Sequence, residues 1–588
     1  MAYATEKLKT TGKKTILLEI STGKEQGKSY NYAPGVWTWK YNTYKQGNHS
    51  LGYGNLGFGP LGEASVEYSG LQENPIAISS VFDDGVDLTE QGSIASTEAN
   101  VGWYYDLGPN ILYFHLTNGT DPVLRTVVVG YTIGASNRAG YYITGDNDVY
   151  FEPTLIGLPS VSKAKDSLYF QLISFGGGTI SLNNAEGDYD SLFENYIFGQ
   201  PFVAKMVFAD DVYTDAYQVY SGYLDTVRMD YEKCDIETID NRKMFDRVIP
   251  LYRFDATTYA NIDAKHIGKV KPLVWGTCYN VPCVCVNSNA VATTYTYLVA
   301  DCTDYANGIG ALTTCYVSGI PKAFTTTSLT TGIFTLQASV CSSGQSAVTV
   351  DMTGFSVTNG IQVLEDILAE YGDLAYSAAN YDQTAWGIQK TAAYNIGYAI
   401  DDETEIGKAI EVLSMTQLGN FLRKDDGKYT FIKWNPNATV TTTISNVDFL
   451  RDSTPAIDWD GTAFLSSCAI GYRRDWANNK HAYYNNALYQ TDAFTKYKKY
   501  QHKSFDTLLT NATDAATYSE EVMVLMKDVK PVYSFTTGAR YIDVEIGDAV
   551  EVQFDRPNQT MAGLIKGEVI EVDKDLIDGI VNIKVRSN

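Results

Sequence analysis

A mainly β, multidomain protein is predicted by three features of this 588-residue chain. It holds 44 Tyr and 49 Gly, with Thr, Val and Ile in the same segments, against 16 Pro and only 19% charged residues. Aromatic and β-branched side chains fit a pleated, half-buried surface, and Gly and Asn serve turns. Several segments alternate apolar and polar residues between turn residues, the spacing of a barrel or sandwich, and helical periodicity is confined to one window. The length leaves room for roughly three to five domains.

Residues 1–160 read as an N-terminal β-rich segment, rich in glycine and aromatics. Its first apolar run, Thr15 to Leu18, is broken by Glu19, so neither a signal peptide nor a membrane span is expected. "SYNYAPGVWTWKYNTYKQGNHSLGYGNLGFGPLG" is too broken for regular structure and too aromatic for a free linker, and is expected to lie against something. A strand and a turn at Asp84-Gly85 follow in "PIAISSVFDDGVDLTE", then two strands around Gly108-Pro109 in "GWYYDLGPNILYFHLTNGTDP".

Residues 161–275 form a first barrel region, with strands in "GTISLNN", "PFVAKMVF" and "YQVYSGYLDTVRM", closed by the long connection "IPLYRFDATTYANIDAKHIGKVKPLVWG". Residues 276–358 lose most charge and gain Thr, Ser, Val and Cys, and read as an inserted β domain. Residues 359–440 are a small α/β domain: Ile361, Leu364, Ile367 and Leu368 share one helix face that Gly372 ends, and Ile406, Ile410, Leu413 and Leu418 repeat the pattern before a turn at Asp426-Gly427. From 441 to 588 β structure returns as a C-terminal barrel region ending in "GEVIEVDKDLIDGIVNIKV". No tandem repeat of fixed period emerges.

A formal charge of −24 argues against a protein that grips nucleic acid by neutralising phosphates. Five of the eight cysteines, Cys278, Cys283, Cys285, Cys302 and Cys315, lie close together, with Cys341 following. Their spacing matches no zinc motif, so reduced, partly buried thiols are expected. The five histidines, His49, His115, His266, His481 and His502, are dispersed and make no catalytic zinc pattern. Cys468 with His481 or His502 is a bare thiol–imidazole pairing. Gly176-Gly177-Gly178 leads into a strand, not a helix, and offers no phosphate cradle.

Two acidic clusters have calcium-like composition: Asn183, Asn184, Glu186, Asp188 and Asp190, and Asp146, Asp148 and Glu152. Neither has the spacing of an EF-hand loop, and a strand connection made by Asx-type bonds and a positive-φ Gly187 explains the first. No cofactor, metal or catalytic residue is expected from these patterns. Chance carboxylate pairs among 69 acids leave glycoside hydrolysis undecided.

Several segments, taken in order, resemble the tail-hub and tail-tip proteins of tailed bacteriophages. They are the strand ending in the Asn184, Gly187, Asp190 turn, the strand entered through Gly199 to Val203, the "IPLY" segment at Ile249–Tyr252, and the Gly268, Lys269, Pro272, Gly276 connection. "SSVFDDGVDLTE" and the closing strands are similar to segments of the same family. The Cys- and Thr-rich insert and the glycine-aromatic N-terminus depart from it.

The resemblance implies hub-type β-barrels in a homotrimeric ring that joins the tail tube to the host-penetrating tip and lines the DNA channel. Asn184, Gly187 and Asp190 would shape a barrel turn, and Gly268, Lys269, Pro272 and Gly276 would carry assembly contacts. Implied partners are other copies of the chain, the tail tube or distal tail protein and tip, spike or baseplate proteins. DNA would be met only in transit, without stable membrane insertion. The protein would be made in the bacterial host cytoplasm and reside in the virion, and would not be an enzyme. Two rivals are a receptor- or carbohydrate-binding tail adhesin, whose stacking surfaces would come from the aromatic loops of residues 30–60, and a polysaccharide-degrading tail enzyme.

Overall fold

Period-two burial is clearest in the strands that build the first sheet: along Thr179–Asn183 the inward Ile180 and Leu182 are fully buried while their neighbours face out. The computed structural model describes residues 151–587 with short breaks, and before residue 151 only strand segments and residues 88–93. Its architecture is mainly β, in several sheets. The first sheet runs Leu155–Gly157, Thr179–Asn183, Lys233–Ile239, Tyr217–Met229, Pro201–Phe208, Lys14–Ser21, Val127–Ser136, Pro75–Asp83, Val86–Asp87. Lys14–Ser21 is antiparallel to Pro201–Phe208, Ile16 opposite Met206, so the N-terminal region and the first barrel region share one sheet.

A second sheet unites Ser174–Phe175 and Val161–Ala164 with Leu564–Asp575, Ile580–Ser587, Lys530–Gly538 and Ala456–Asp460. Val161 pairs with Lys574, bringing the first barrel region to the chain's last strands. The inner faces of both sheets build one apolar core: Ile16, Leu182 and Phe202 lie in the same cluster as Val552, Val572 and Ile583. Among the described residues neither sheet closes on itself.

The middle of the chain makes another body. Leu273–Pro282 passes through the expected 275/276 border and pairs with Val348–Phe355 on one side and Gly397–Ile400 on the other, so the Cys/Thr-rich segment and the α/β segment also share a core. Helix α1 (Gly360–Tyr371) is capped by the Asn359 side chain, which accepts from Ile361 and Gln362 N–H, and Gly372 ends it. Helix α2 (Gln383–Ala392) buries Trp386, and helix α3 (Ile406–Gln417) packs on α1 where Gly360 meets the Gln417 side chain.

Two expectations fail and one helix goes unforeseen. The stretch at residues 29–62 contains a hairpin, Tyr30–Ala33 with Val36–Lys40, where broken structure was expected; residues 41–74 lie outside the described residues. α2 escapes the periodicity because only Trp386 on it is buried. The C-terminal region, expected to be β throughout, holds helices α4 (Gln490–Tyr497) and α5 (Ala512–Met526). On α5 the Asn511 side chain caps Asp514 N–H, and Ala515, Tyr518, Val522, Met523 and Met526 fall on one face against Cys468, Ile470 and Phe505. Ala, Ser and Thr dilute that face in sequence, so packing rather than propensity decides the helix. Among the described residues no helix is long and apolar enough to cross a membrane.

One polar cluster ties these bodies together. The hairpin Gly419–Arg423 with Tyr429–Lys433 bridges the two cores, Leu422 lying in the first and Phe421 and Phe431 in the second. At its tip, Asp425 accepts from Lys163 Nζ at 2.6 Å and from Lys574 Nζ. Lys163 also donates to Glu545 at 3.0 Å, and Asp425 N–H donates to the other Glu545 oxygen at 2.6 Å. All four side chains are buried. Burial alone would lower the Lys163 ammonium, yet the Asp425 and Glu545 charges hold it above its ordinary value. Burial would raise Asp425, and the two lysines reverse that and depress it, while burial and the Asp425 charge push Glu545 up.

Removing one partner from such a cluster strands a buried charge, at about 3–5 kcal/mol. Asp425→Asn is expected to lower the urea midpoint accordingly. Because the folded Asp425 pKa lies below the unfolded value of about 3.9, the loss should be full above that pH and shrink as pH falls further. An unchanged midpoint at pH 7 would show that the cluster does not join the bodies.

Candidate functional site

The three turn residues meet. Asn184, almost fully buried, donates from Nδ2 to Asp190 at 2.9 Å and accepts through Oδ1 from Tyr189 N–H at 2.8 Å. Gly187 takes φ +73° and donates its N–H to the Asn184 carbonyl at 2.9 Å. The loop leaves Thr179–Asn183 and anchors Tyr189 and Leu192 in the first core. Glu186 and Asp188 of the calcium-like cluster lie outside the described residues, as do Asp146, Asp148, Glu152, Gly176 and Gly177.

The connection Val248 to Gly276 is held by backbone. Phe254 N–H donates to the Lys269 carbonyl, Gly268 N–H to the Phe254 carbonyl, and Lys271 N–H to the Tyr252 carbonyl, each within 2.8–2.9 Å. Arg253 Nη1 donates to the Gly268 carbonyl and its other arm pairs with Glu403. Lys269 is exposed, and buried Pro272 accepts from Asp301 N–H. The two glycines differ. Gly268, at φ +83°, faces open space, whereas a Cβ on Gly276, at φ +63°, would lie 2.0 Å from the Ile396 carbonyl oxygen. Val248, Leu251, Tyr252 and Ile267 leave an apolar strip exposed along this segment.

Beside the strip, Asp304, Tyr305, Phe355, Ser356 and Asp366 line an open cleft. Tyr305 lies flat on Phe355, centroids 3.6 Å apart, and Asp366 accepts from Trp275 Nε1 at 2.6 Å and the Tyr305 hydroxyl at 2.9 Å. Burial raises the Asp366 carboxyl; these two donors offset only part of that. Asp304 accepts from the Tyr252 and Tyr371 hydroxyls. Among the described residues no three His, Cys, Asp or Glu side chains are arranged to hold a metal ion.

All eight cysteines are free thiols. Cys468 is fully buried, its thiol pushed up to about 12 by burial, and its weak hydrogen bond goes to the Ser519 carbonyl. His502 instead bonds Ser467 at 2.9 Å and His481 sits near Asp506, so the thiol–imidazole pairing is not assembled. His266 lies in the turn Ala264–His266 of the connection; His49 and the His115 side chain lie outside the described residues, as does most of the aromatic segment 30–60.

Sequence reading missed the buried charge cluster and the apolar strip. A signal for the first was present: Lys163 and Lys574 occupy the inward register of alternating strands, where only a paired charge is tolerated.

No family model and no curated protein matches the chain. Among solved structures it is similar to a tail protein from Neisseria meningitidis, at 7% identity and TM-score 0.36, covering 74% of this chain and 93% of that one. It is also similar to a 43 kDa tail protein of prophage MuSo2 from Shewanella oneidensis, at 10% identity and TM-score 0.33, covering 76% and 95%. A prophage tail protein from Listeria monocytogenes matches at 8% identity and TM-score 0.31, covering 73% and 95%. With every TM-score under 0.5, these likenesses carry no weight for function.

Gly276→Ala is expected to cost more than the ~1–2 kcal/mol of left-handed backbone alone, and Gly268→Ala no more than that. Chemical denaturation of the two variants side by side checks this, and equal losses would mean the close approach at Ile396 is relieved without strain.

Proposed function

We propose that the chain is a structural protein of a bacteriophage virion, the hub of the tail tip or baseplate. It assembles as a homotrimeric ring that joins the tail tube to the penetrating tip and surrounds the path of DNA. The observation that carries this reading is the joining of chain ends: strands near residues 14–21 and 161–239 and strands near 564–587 build two large, mainly antiparallel sheets on one core. Such a pair of adjoining β units in each subunit fits the paired-barrel subunit implied by the ordered motifs. The Gly268, Lys269, Pro272, Gly276 connection, with its exposed apolar strip, supports an assembly role for that segment, and Asn184, Gly187 and Asp190 act as architecture. The surplus of acidic residues suits a channel that DNA passes without adhering. Tube, tip and baseplate proteins are the partners of this reading; no catalysis is assigned.

Light scattering of the purified protein, with negative-stain class averages of the same sample, tests it. A mass three times the 64.9 kDa chain and a ring with a central hole are the expected result. A monomer that selects sugars on a glycan array would replace the hub with the adhesin.

A further inference from the structure

The edge strand Lys480–Asn486 departs from the alternating burial of the strands that build the cores. Ala482, Tyr483, Tyr484 and Asn485 are all exposed in succession, so both faces of this outermost strand are open, whereas a sheet strand normally buries at least one. Next to it in sequence, Leu488 is 76% and Tyr500 61% exposed, and the Phe494 and Tyr500 rings stack with centroids 4.8 Å apart. The same region is a basic island on an acidic chain: from Phe494 to Lys503 there are four lysines and no acid. Lys496 is paired with Asp528 at 2.7 Å, but Lys498, over the Phe494 ring, and Lys499 have no ion-pair partner among the described residues. An aromatic centre with a charged rim is the make-up of a protein interface, since a phosphate chain would gain nothing from Leu488.

The chain carries a complement elsewhere. Asp304 accepts from the Tyr252 hydroxyl in the exposed strip of Val248, Leu251, Tyr252 and Ile267, exposed Glu370 lies near enough to feel the Asp304 and Asp366 charges, and Asp304 takes part in no ion pair among the described residues. We propose that the basic aromatic surface around Lys498, Lys499 and Tyr500 docks on the acidic apolar surface around Asp304, Glu370 and Tyr252 of a second copy of this chain. Two different patches meeting make a head-to-tail contact, which closes into a ring where a self-complementary patch would stop at a pair. This rests on the ring reading above and supplies the surfaces that form it.

Charge exchange tests it. Lys498→Glu with Lys499→Glu, and separately Asp304→Lys with Glu370→Lys, are each expected to weaken self-association at least ~10-fold by sedimentation velocity. The variant carrying all four changes should recover it. Asp304→Asn with Glu370→Gln, with folding checked by circular dichroism, guards against a misfolded lysine variant and should weaken association in the same direction. Association untouched by the reversals, or lost and not recovered by the fourfold exchange in a folded protein, overturns the docking while leaving a ring of other contacts standing. A wild-type chain that stays monomeric at micromolar concentration overturns both. Binding of a DNA oligonucleotide that the Lys498→Glu, Lys499→Glu variant loses, with association unchanged, assigns the patch to a polyanion instead.

Discussion

The buried meeting of Lys163, Asp425, Glu545 and Lys574 is the constraint from which the arrangement of the molecule follows. Each residue comes from a different stretch: an early strand of the second sheet, the tip of the hairpin in the α/β region, the loop before Ala549–Gln553, and the strand Leu564–Asp575. An apolar core tolerates sliding of one layer over another, because its attraction has no direction. A set of charges with fixed hydrogen-bond geometry does not, since any displacement leaves an ammonium or carboxylate unpaired away from water. The cluster therefore fixes where the central body sits relative to the paired sheets. Lys165 with Glu568 at 2.5 Å adds an ion pair within the second sheet, beside the cluster.

A rigid centre suits the mechanical role proposed above, and the surface carries a second set of features. The connection from Val248 to Gly276 is short of regular structure but strongly bonded along its backbone, and it presents apolar side chains to solvent. The strand Lys480–Asn486 is an open edge, with Ala482 to Asn485 exposed in succession. Exposed apolar strips and open strand edges are liabilities in a free monomer. In the ring proposed above they would be the contact surfaces.

Tyrosine illustrates how far composition reaches. Its abundance announces β structure, yet it does not say where the rings go. Tyr297, Tyr371, Tyr381 and Tyr518 are fully buried, with Tyr381 donating to the Leu374 carbonyl and Tyr518 to that of Met415. Tyr231, Tyr483 and Tyr500 face solvent. A ring with a polar tip suits either place, and only its neighbours decide. The cysteines divide in the same way, Cys278, Cys315 and Cys341 filling the central core and Cys302 only partly covered.

The sequence by itself determined the class of structure, most strands of the two large sheets, helices α1 and most of α3, and the turn at Asn184, Gly187 and Asp190. Each is written in local spacing: period two, period 3.6, or a turn residue at a fixed offset. Tertiary structure alone decided that α5 is a helix, that Leu273–Pro282 binds the insert to the α/β body, and that Lys163 finds Asp425 and Glu545. Those outcomes depend on residues hundreds of positions apart, whose meeting is selected by the free energy of burial and pairing. Local pattern holds no record of that term.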